Sequence, residues 1–379
     1  MINTNSLRQP LYLKFLSSAF VVFWCLIALF PIFWITAMSL KVPIDAFSPN
    51  PLNVILGPET SNSRNSFSIL DILYVTMFLF LFLKYKDFFL RKIFKNLKIN
   101  NLLKFTLLII ISSILFLLIF FLIHNYINPF IPFLGIDFIG YTLEHYYTVW
   151  IERGFTNNFK NSILVTFGVV IVSLTFGTLA GYGLARTGSS LAFWILVIAL
   201  IFRSLPHSIL VAGYLPFFIN SREILGPLFG DLAPTLFGKP WAVIAVLVAI
   251  NQPFTIWMMR SFFQNIPPEL DEAARVDGCN HFQAFRRVIM PVMWPGVITT
   301  GLFSFMLGYN DYLVTSLLLD AQNQTMVPAI SGLFNRDTTT TDEIVAITAA
   351  VSIIAPLFFL VLFFQRQIVS GLTAGAVKG

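Results

Sequence analysis

Eight apolar runs, separated by short polar stretches, dominate this chain. They cover residues 15–40, 67–83, 105–123, 161–184, 191–219, 240–259, 292–319 and 343–364. A helix needs about 20 apolar residues to cross a bilayer, and 67–83 sits at the low end of that range. Pro31 inside the first run does not exclude a span, because neighbouring helices can satisfy the backbone groups it frees. The pattern predicts an all-α polytopic membrane helix bundle of eight spans.

Charge then assigns the loops to sides, since Lys and Arg concentrate on the cytoplasmic face. Arg8 and Lys14 precede the first run and put the N-terminus inside. That run is longer than a signal-peptide core and lacks a small-x-small cleavage site, so it reads as an uncleaved span. Residues 41–66, rich in Pro, Asn and Ser, follow outside. Lys84, Lys86, Arg91, Lys92, Lys95, Lys98 and Lys104 stand against Asp87 and mark the next loop as inside. Within it Phe89, Leu90, Ile93, Phe94 and Leu97 share one helical face, which predicts an amphipathic helix on the inner leaflet. Residues 124–160 lie outside, with Tyr146, Tyr147 and Trp150 as expected interface anchors. Arg186 and Arg260 mark inner ends, and Arg222, Glu223, Asp231 and Lys239 belong to an outer loop. The threonine-rich loop 320–342 is outside, and Gln365 and Arg366 bring the C-terminus inside.

Composition agrees. The 379 residues are 57% hydrophobic and 11% charged, with mean hydropathy +0.80, whereas soluble domains carry about 25% charge. The net charge of +6 comes from orienting loops, so no nucleic-acid partner is implied. Cys25 and Cys279 suggest neither a disulfide framework nor a metal site. His124, His145, His207 and His281 are scattered, and His207 reads as a packed histidine. There is no phosphate-binding loop: the Gly371–Gly379 tail has the wrong spacing and no preceding strand. No catalytic constellation stands out, and no cofactor or metal is expected.

Some polar or small residues within the apolar runs are candidates for function. Gly177, Ala180, Gly181 and Gly183 would let helix backbones approach closely. Arg203 is costly inside a membrane and marks a candidate translocation site with neighbouring Pro206. Asn310 and Asp311 are candidates for the same path.

One polar stretch, residues 267–291, interrupts the apolar sequence on the inner side. Pro267 and Pro268 open a helix where missing N–H groups cost nothing. Glu269, Asp271 and Glu272 fill its first turn, which the helix dipole favours. Gly278 ends it in a left-handed cap. Asn280 and Gln283 form a capping box for a second short helix. Phe282, Phe285 and Ile289 space out one face of that helix, and Pro291 closes it.

Glu272-Ala273-Ala274, Asp277-Gly278, Ile289 and Pro291 resemble the cytoplasmic loop motif of permease subunits of binding-protein-dependent ABC importers. Met290 departs from the leucine usual before the proline. Residues 31–41, Asn161-Ser162, Ala180 to Arg186, Tyr309 to Tyr312 and the 371–379 tail are similar to carbohydrate-type permeases, the tail to the maltose-type second permease subunit. The resemblance covers about residues 1–52 and 140–379.

It implies a transport subunit, not an enzyme, in a bacterial inner membrane. Its partners would be an ABC ATPase dimer that hydrolyses ATP, a second permease subunit in a heterodimer, and a periplasmic substrate-binding protein. Glu272, Ala273, Ala274, Asp277, Gly278, Ile289 and Pro291 would couple it to the ATPase. The expected division is 1–56 (tail, first span and outer loop), 57–137 (an inserted two-span hairpin beyond the usual six-span core) and 138–379 (the permease domain with its coupling loop, 260–291). The hairpin is expected to pack peripherally against the first span. A secondary transporter is the rival class, but it would need ionisable residues in several spans and internal repeats. Within the importer class, polyol, osmolyte and glycerol-phosphate substrates remain open beside carbohydrate.

Overall fold

The computed structural model describes residues 11–93, 101–131, 136–334 and 340–374, and these are almost wholly helical. In order the elements are α1 (Leu11–Ser39), α2 (Pro43–Ala46), α3 (Pro51–Leu56), α4 (Pro58–Ser63), β1 (Asn65–Ser68), α5 (Ile69–Ile93), α6 (Asn101–Leu122), β2 (Asp137–Tyr141) and α7 (Glu144–Tyr147). There follow α8 (Phe155–Thr187), α9 (Ser190–Arg203), α10 (His207–Ile219), α11 (Ser221–Phe229), α12 (Pro240–Gln264) and α13 (Glu269–Val276). The last are α14 (His281–Ala284), α15 (Met290–Tyr309), α16 (Leu313–Leu318), α17 (Met326–Phe334) and α18 (Thr340–Ala374). Among the described residues, six helical stretches are long and apolar enough to cross a membrane: 12–39, 103–130, 155–187, 240–264, 281–309 and 342–365. The residues group into two units, 1–147 with 339–351, and 148–338 with 352–379.

In the first unit, residues 41–66 are not the plain loop expected. They form α2, α3, α4 and β1, and β1 pairs antiparallel with β2. Phe67 stacks on Tyr141 across this pair at 4.2 Å. A polar knot fastens the end of α1 to it. Asp45 accepts from the Thr60 N–H (2.6 Å) and hydroxyl (2.7 Å), Lys41 Nζ donates to the Gly140 carbonyl, and His145 Nε2 donates to the Lys41 carbonyl (2.9 Å). Tyr146 meets Ser39 at 2.9 Å and so serves packing, whereas Tyr147 is exposed as a surface anchor would be.

Ser68 and Asp71 cap α5 reciprocally: Ser68 N–H donates to Asp71 (2.9 Å) and Asp71 N–H to the Ser68 hydroxyl (3.1 Å). The same Asp71 oxygen meets His124 Nδ1 (2.9 Å) and Asn128 Nδ2 (3.1 Å), which ties the far end of α6 to the start of α5. Below, Tyr74 stacks on Phe116 (5.3 Å) and Phe78 packs against it (4.8 Å). The hairpin therefore packs chiefly on itself. Among the described residues α1 lies mainly against α2 and α3, with no comparable packing on α5 or α6. The separate amphipathic helix is not seen as such: α5 runs unbroken through Phe89 and Leu90 to Ile93, since no Gly or Pro interrupts it. Phe94, Leu97, Lys95 and Lys98 lie outside the described residues.

In the second unit α8 is the centre, packed along α12 and α15. A side-chain Cβ on Gly181 would lie 2.6 Å from Met259 Cβ and 2.9 Å from the Arg260 nitrogen, and one on Gly177 would lie 2.4 Å from Thr255 Cγ2. Gly181 lets the backbones of α8 and α12 meet and Gly177 admits the Thr255 side chain, whereas Gly183 faces open space in a cleft between α8, α9 and α12. Asn251 on α12 donates to Ser304 on α15 (2.8 Å). Asn161 Nδ2 donates to the Gln322 (3.1 Å) and Gln324 (3.2 Å) carbonyls, and Ser162 accepts from Met326 N–H (2.8 Å). Trp150 is held inside by Ser352 (3.1 Å) and by Phe155 and Phe159, and does not stand free at the surface.

Two expected spans are interrupted. Run 191–219 is split into α9 and α10 at Ser204–Pro206, because Pro206 offers no N–H and disfavours helical geometry before it. Run 292–319 begins earlier, since helix is continuous from His281 to Tyr309, and it breaks at Asn310–Asp311 before α16.

Gly181→Leu should destabilise the protein by about 1–3 kcal/mol, the usual cost of overpacking. Gly183→Ala should leave thermal unfolding in detergent unchanged, and equal effects at the two positions would contradict the packing described. A second test concerns the polar knot. Burial lowers the Lys41 pKa from 10.5 to about 8, with Asp45 opposing. The unfolded chain then holds this proton more tightly, so stability should rise as pH goes from about 8 to 10.5. Lys41→Met should flatten that rise in thermal unfolding followed against pH.

Candidate functional site

The polar stretch 267–291 folds largely as its sequence prescribes. α13 begins after Pro267-Pro268 with its three acids in the first turn. Gly278, at φ +87°, closes it: Gly278 N–H reaches the Arg275 carbonyl (3.0 Å) and Cys279 N–H the Ala274 carbonyl (3.0 Å). This 6→1 and 5→2 pair is the Schellman arrangement, which requires a left-handed residue at that position. Asn280 and Gln283 then form both bonds of a capping box (2.8 and 3.0 Å) at the start of α14.

Pro291 does not close the second helix. A π turn, Phe285–Ile289, follows α14 and leads directly into α15, so Pro291 lies in a continuous helix. Proline lacks the N–H that an α-helical turn would use, and the wider turn just before it accommodates that loss. The second loop helix is thus an extension of the apolar helix that continues as α15.

The expected coupling residues divide by environment. Ala274 and Ile289 are buried. Ile289 joins a core with Met259, Phe263, Ile266, Met293 and Val297 at the base of the loop. Glu272, Ala273, Asp277, Gly278 and Pro291 are exposed. Phe285 packs inward against Tyr182 (4.8 Å). Phe282 does not share that face: it is 66% exposed, and Val276 is 87% exposed. The loop therefore presents two bare apolar side chains beside charged ones.

Three further residues complete the site. Asp271 accepts from the Tyr182 hydroxyl (2.6 Å) and pairs with Arg186 Nε (2.7 Å). Arg186 also donates to the Ile266 carbonyl (3.1 Å), just beyond the last turn of α12. Tyr182, Arg186, Pro268, Asp271, Glu272, Arg275, His281 and Ala284 enclose a polar hollow of about 280 Å³. In the sequence Arg186 marks an inner end and closes the stretch from Ala180 that resembles carbohydrate-type permeases, with no role assigned to its side chain. Its spacing of four from Tyr182 puts both on one helical face, and that was the available signal.

The candidate path residues fall at the two helix breaks. Arg203 ends α9 and lies over the Phe254 ring at 4.7 Å, a cation–π contact, and Pro206 precedes α10. Asn310 follows α15, and Asp311 accepts from Thr315 N–H (2.9 Å) at the start of α16. Gln252 went unnoticed in the sequence. It lines the cleft of about 590 Å³ between α8, α9 and α12, among mostly apolar neighbours. Among the described residues no group of His, Cys, Asp and Glu could hold a metal.

Apolar helices of spanning length, two of them joined by the capped stretch 267–291, mark a multi-pass membrane protein. Residues 173–373 match the model of the family described as binding-protein-dependent transport system inner membrane component, and the chain belongs to that family. It is 32% identical over 247 residues to the maltodextrin transport system permease protein MdxG of Bacillus subtilis (strain 168), covering 64% of this chain and 84% of that one. It is 33% identical over 241 residues to the diacetylchitobiose uptake system permease protein DasC of Streptomyces coelicolor (strain ATCC BAA-471 / A3(2) / M145), covering 63% and 81%. In fold it is similar to a chain of a bacterial ABC transporter involved in the import of the acidic polysaccharide alginate, with TM-score 0.58, 16% identity and coverage of 94% and 96%.

The cap makes a local prediction. Gly278→Ala would force a Cβ into left-handed geometry at about 1–2 kcal/mol, and Asn280→Ala should cost about 1 kcal/mol. Both should speed amide hydrogen exchange over 269–290 while leaving the α8–α12 contact protected.

Proposed function

We propose that this chain is one of two permease subunits of an ATP-driven importer for a carbohydrate, and that 269–290 is its docking element for the ATPase. The observation that carries the docking reading is the rigid loop itself. It is capped at Gly278 and Asn280 and leaves Val276 and Phe282 bare beside Glu272. Exposed apolar groups on a stiff element suit a protein groove. Glu272, Ala273, Asp277 and Gly278 belong to the docking face, Ala274 and Ile289 anchor it, and Pro291 marks entry to the span. A partner ATPase dimer supplies the energy, a second permease subunit completes the pathway, and a periplasmic protein delivers substrate. The carbohydrate assignment rests on the maltodextrin and diacetylchitobiose permeases among its relatives.

In this reading the bundle has eight spans with both termini cytoplasmic. Six are the long apolar helices, the seventh is α5, and the eighth is α9 with α10 as a broken pair. The division into 1–56, 57–137 and 138–379 follows, with 57–137 an added hairpin. Arg203, Pro206, Asn310 and Asp311 stand at helix breaks, where irregular backbone lines a cavity or protein rather than lipid, and we assign them to the translocation path.

Purified with its ATPase, the protein should lose that subunit on Glu272→Lys or Gly278→Asp, and transport that persists without any ATPase would overturn the importer reading. The cognate periplasmic protein should bind an oligosaccharide in calorimetry, and selective binding of a polyol or glycerol-phosphate would replace the carbohydrate assignment. A reporter inserted between α5 and α6 should report cytoplasm, and a periplasmic signal would remove the added pair of spans.

A further inference from the structure

We infer that Tyr182, Arg186 and Asp271 form a latch through which movement of the docking loop reaches the transmembrane helices. This rests on the reading that the loop docks an ATPase, and it concerns a different set of atoms from the docking face.

The loop is joined by the chain to α12 and α15 but not to α8. Helix α13 follows α12 across Asn265–Pro268, and α14 continues into α15. Helix α8, the centre of its unit, ends at Thr187, far earlier in the sequence. Movement of α13 can reach α8 directly only through side chains. Asp271 lies 89 residues from Tyr182, and its two carboxylate oxygens are divided between two α8 partners: Oδ1 accepts from the Tyr182 hydroxyl (2.6 Å), and Oδ2 forms an ion pair with Arg186, 2.7 Å from its Nε. A carboxylate held from two sides by groups one helical turn apart resists both sliding and rotation.

Arg186 has a second task. Its Nη1 donates to the Ile266 carbonyl (3.1 Å), so one guanidinium holds α8, the end of α12 and the first turn of α13 together. The planar fork of arginine permits this, whereas the point charge of a lysine does not. Tyr182 packs its ring against Phe263 of α12 (5.4 Å) and Phe285 of the π turn (4.8 Å), which fixes the hydroxyl that meets Asp271. Directly above, Gly181 is in backbone contact with Met259 and Arg260. The side chains of the ion pair are only 19% and 13% exposed, so water screens them weakly. The face that would meet an ATPase, with Val276 and Phe282, is made of other residues. Attachment and transmission are therefore separable. Tyr182, Arg186 and Asp271 are positioning residues, in contact with neither substrate nor nucleotide.

The test uses the whole importer reconstituted in vesicles with its ATPase and binding protein. Two quantities are read for each variant: ATPase retained on the permease, and substrate transported per ATP hydrolysed. Asp271→Asn and Arg186→Met should retain the ATPase, while transport per ATP falls about tenfold, the size of a typical coupling term. The double variant should be no worse than the poorer single one, as for two members of one interaction. Tyr182→Phe, which removes one hydroxyl and spares the fold, should shift the ratio the same way by less. Unchanged transport per ATP in Tyr182→Phe and both single charge variants would overturn the latch, as would losses that simply add in the double variant. Loss of the ATPase from Asp271→Asn would also overturn it, by placing Asp271 in the docking face. Retention of the ATPase by Gly278→Asp would instead sink the docking reading, and the two failures are thereby distinguished.

Discussion

Glycine at 177 and 181 removes the atoms that would hold α8 and α12 apart, so that α8 seats against the Thr255 side chain and closes to backbone contact at Met259 and Arg260. Apolar burial gives little drive for helix association when the surrounding lipid is equally apolar. Close dispersion contact supplies it instead, helped by single polar bonds such as Asn251 to Ser304. With α8 and α12 in register, Tyr182 and Arg186 come level with the end of α12, and the carbonyl of Ile266 falls within reach. The polar loop is then seated on a fixed corner.

The first unit solves a different problem. Helices α1, α5 and α6 expose apolar side chains over most of their length and bury few. What organises this first unit is a compact polar arrangement at the helix ends beside β1 and β2. Asp45, Thr60, Lys41 and His145 fasten one part, and Asp71 with His124 and Asn128 fastens another. Buried charges of this kind persist when each is hydrogen-bonded. The hairpin needs no polar interior, since its helices meet through rings and leave their remaining faces to lipid.

Much of this was legible in the residues because it is local. The glycine cap at 278 and the Asn280–Gln283 box depend on neighbours within a few positions, and both formed as read. The glycines at 177 and 181 were legible as small residues on one face, but only packing could separate them from Gly183. The break at 204–206 was hidden by the run around it, whose uniform apolarity carries no period to interrupt. Pro291 misled for the opposite reason: as a helix breaker it looked like an end, and the π turn before it absorbed the missing N–H. The strands β1 and β2 pair across more than 60 residues, and Asp271 meets Tyr182 across 89. No short window contains such a pairing. Asp71 was locally legible, since Ser68 three residues before it is a capping signature, although the apolar run around it drew the eye.

The interruption between α9 and α10 has a consequence for what surrounds it. A helix end leaves its last carbonyls and its first N–H groups without partners in the same helix, and hydrocarbon offers none. A flank of this kind at bilayer depth cannot be bathed in acyl chains. It calls for water or another polypeptide, and the guanidinium of Arg203, lying against Phe254, makes the same demand. A helix break of this kind is solvent-seeking even within an apolar run.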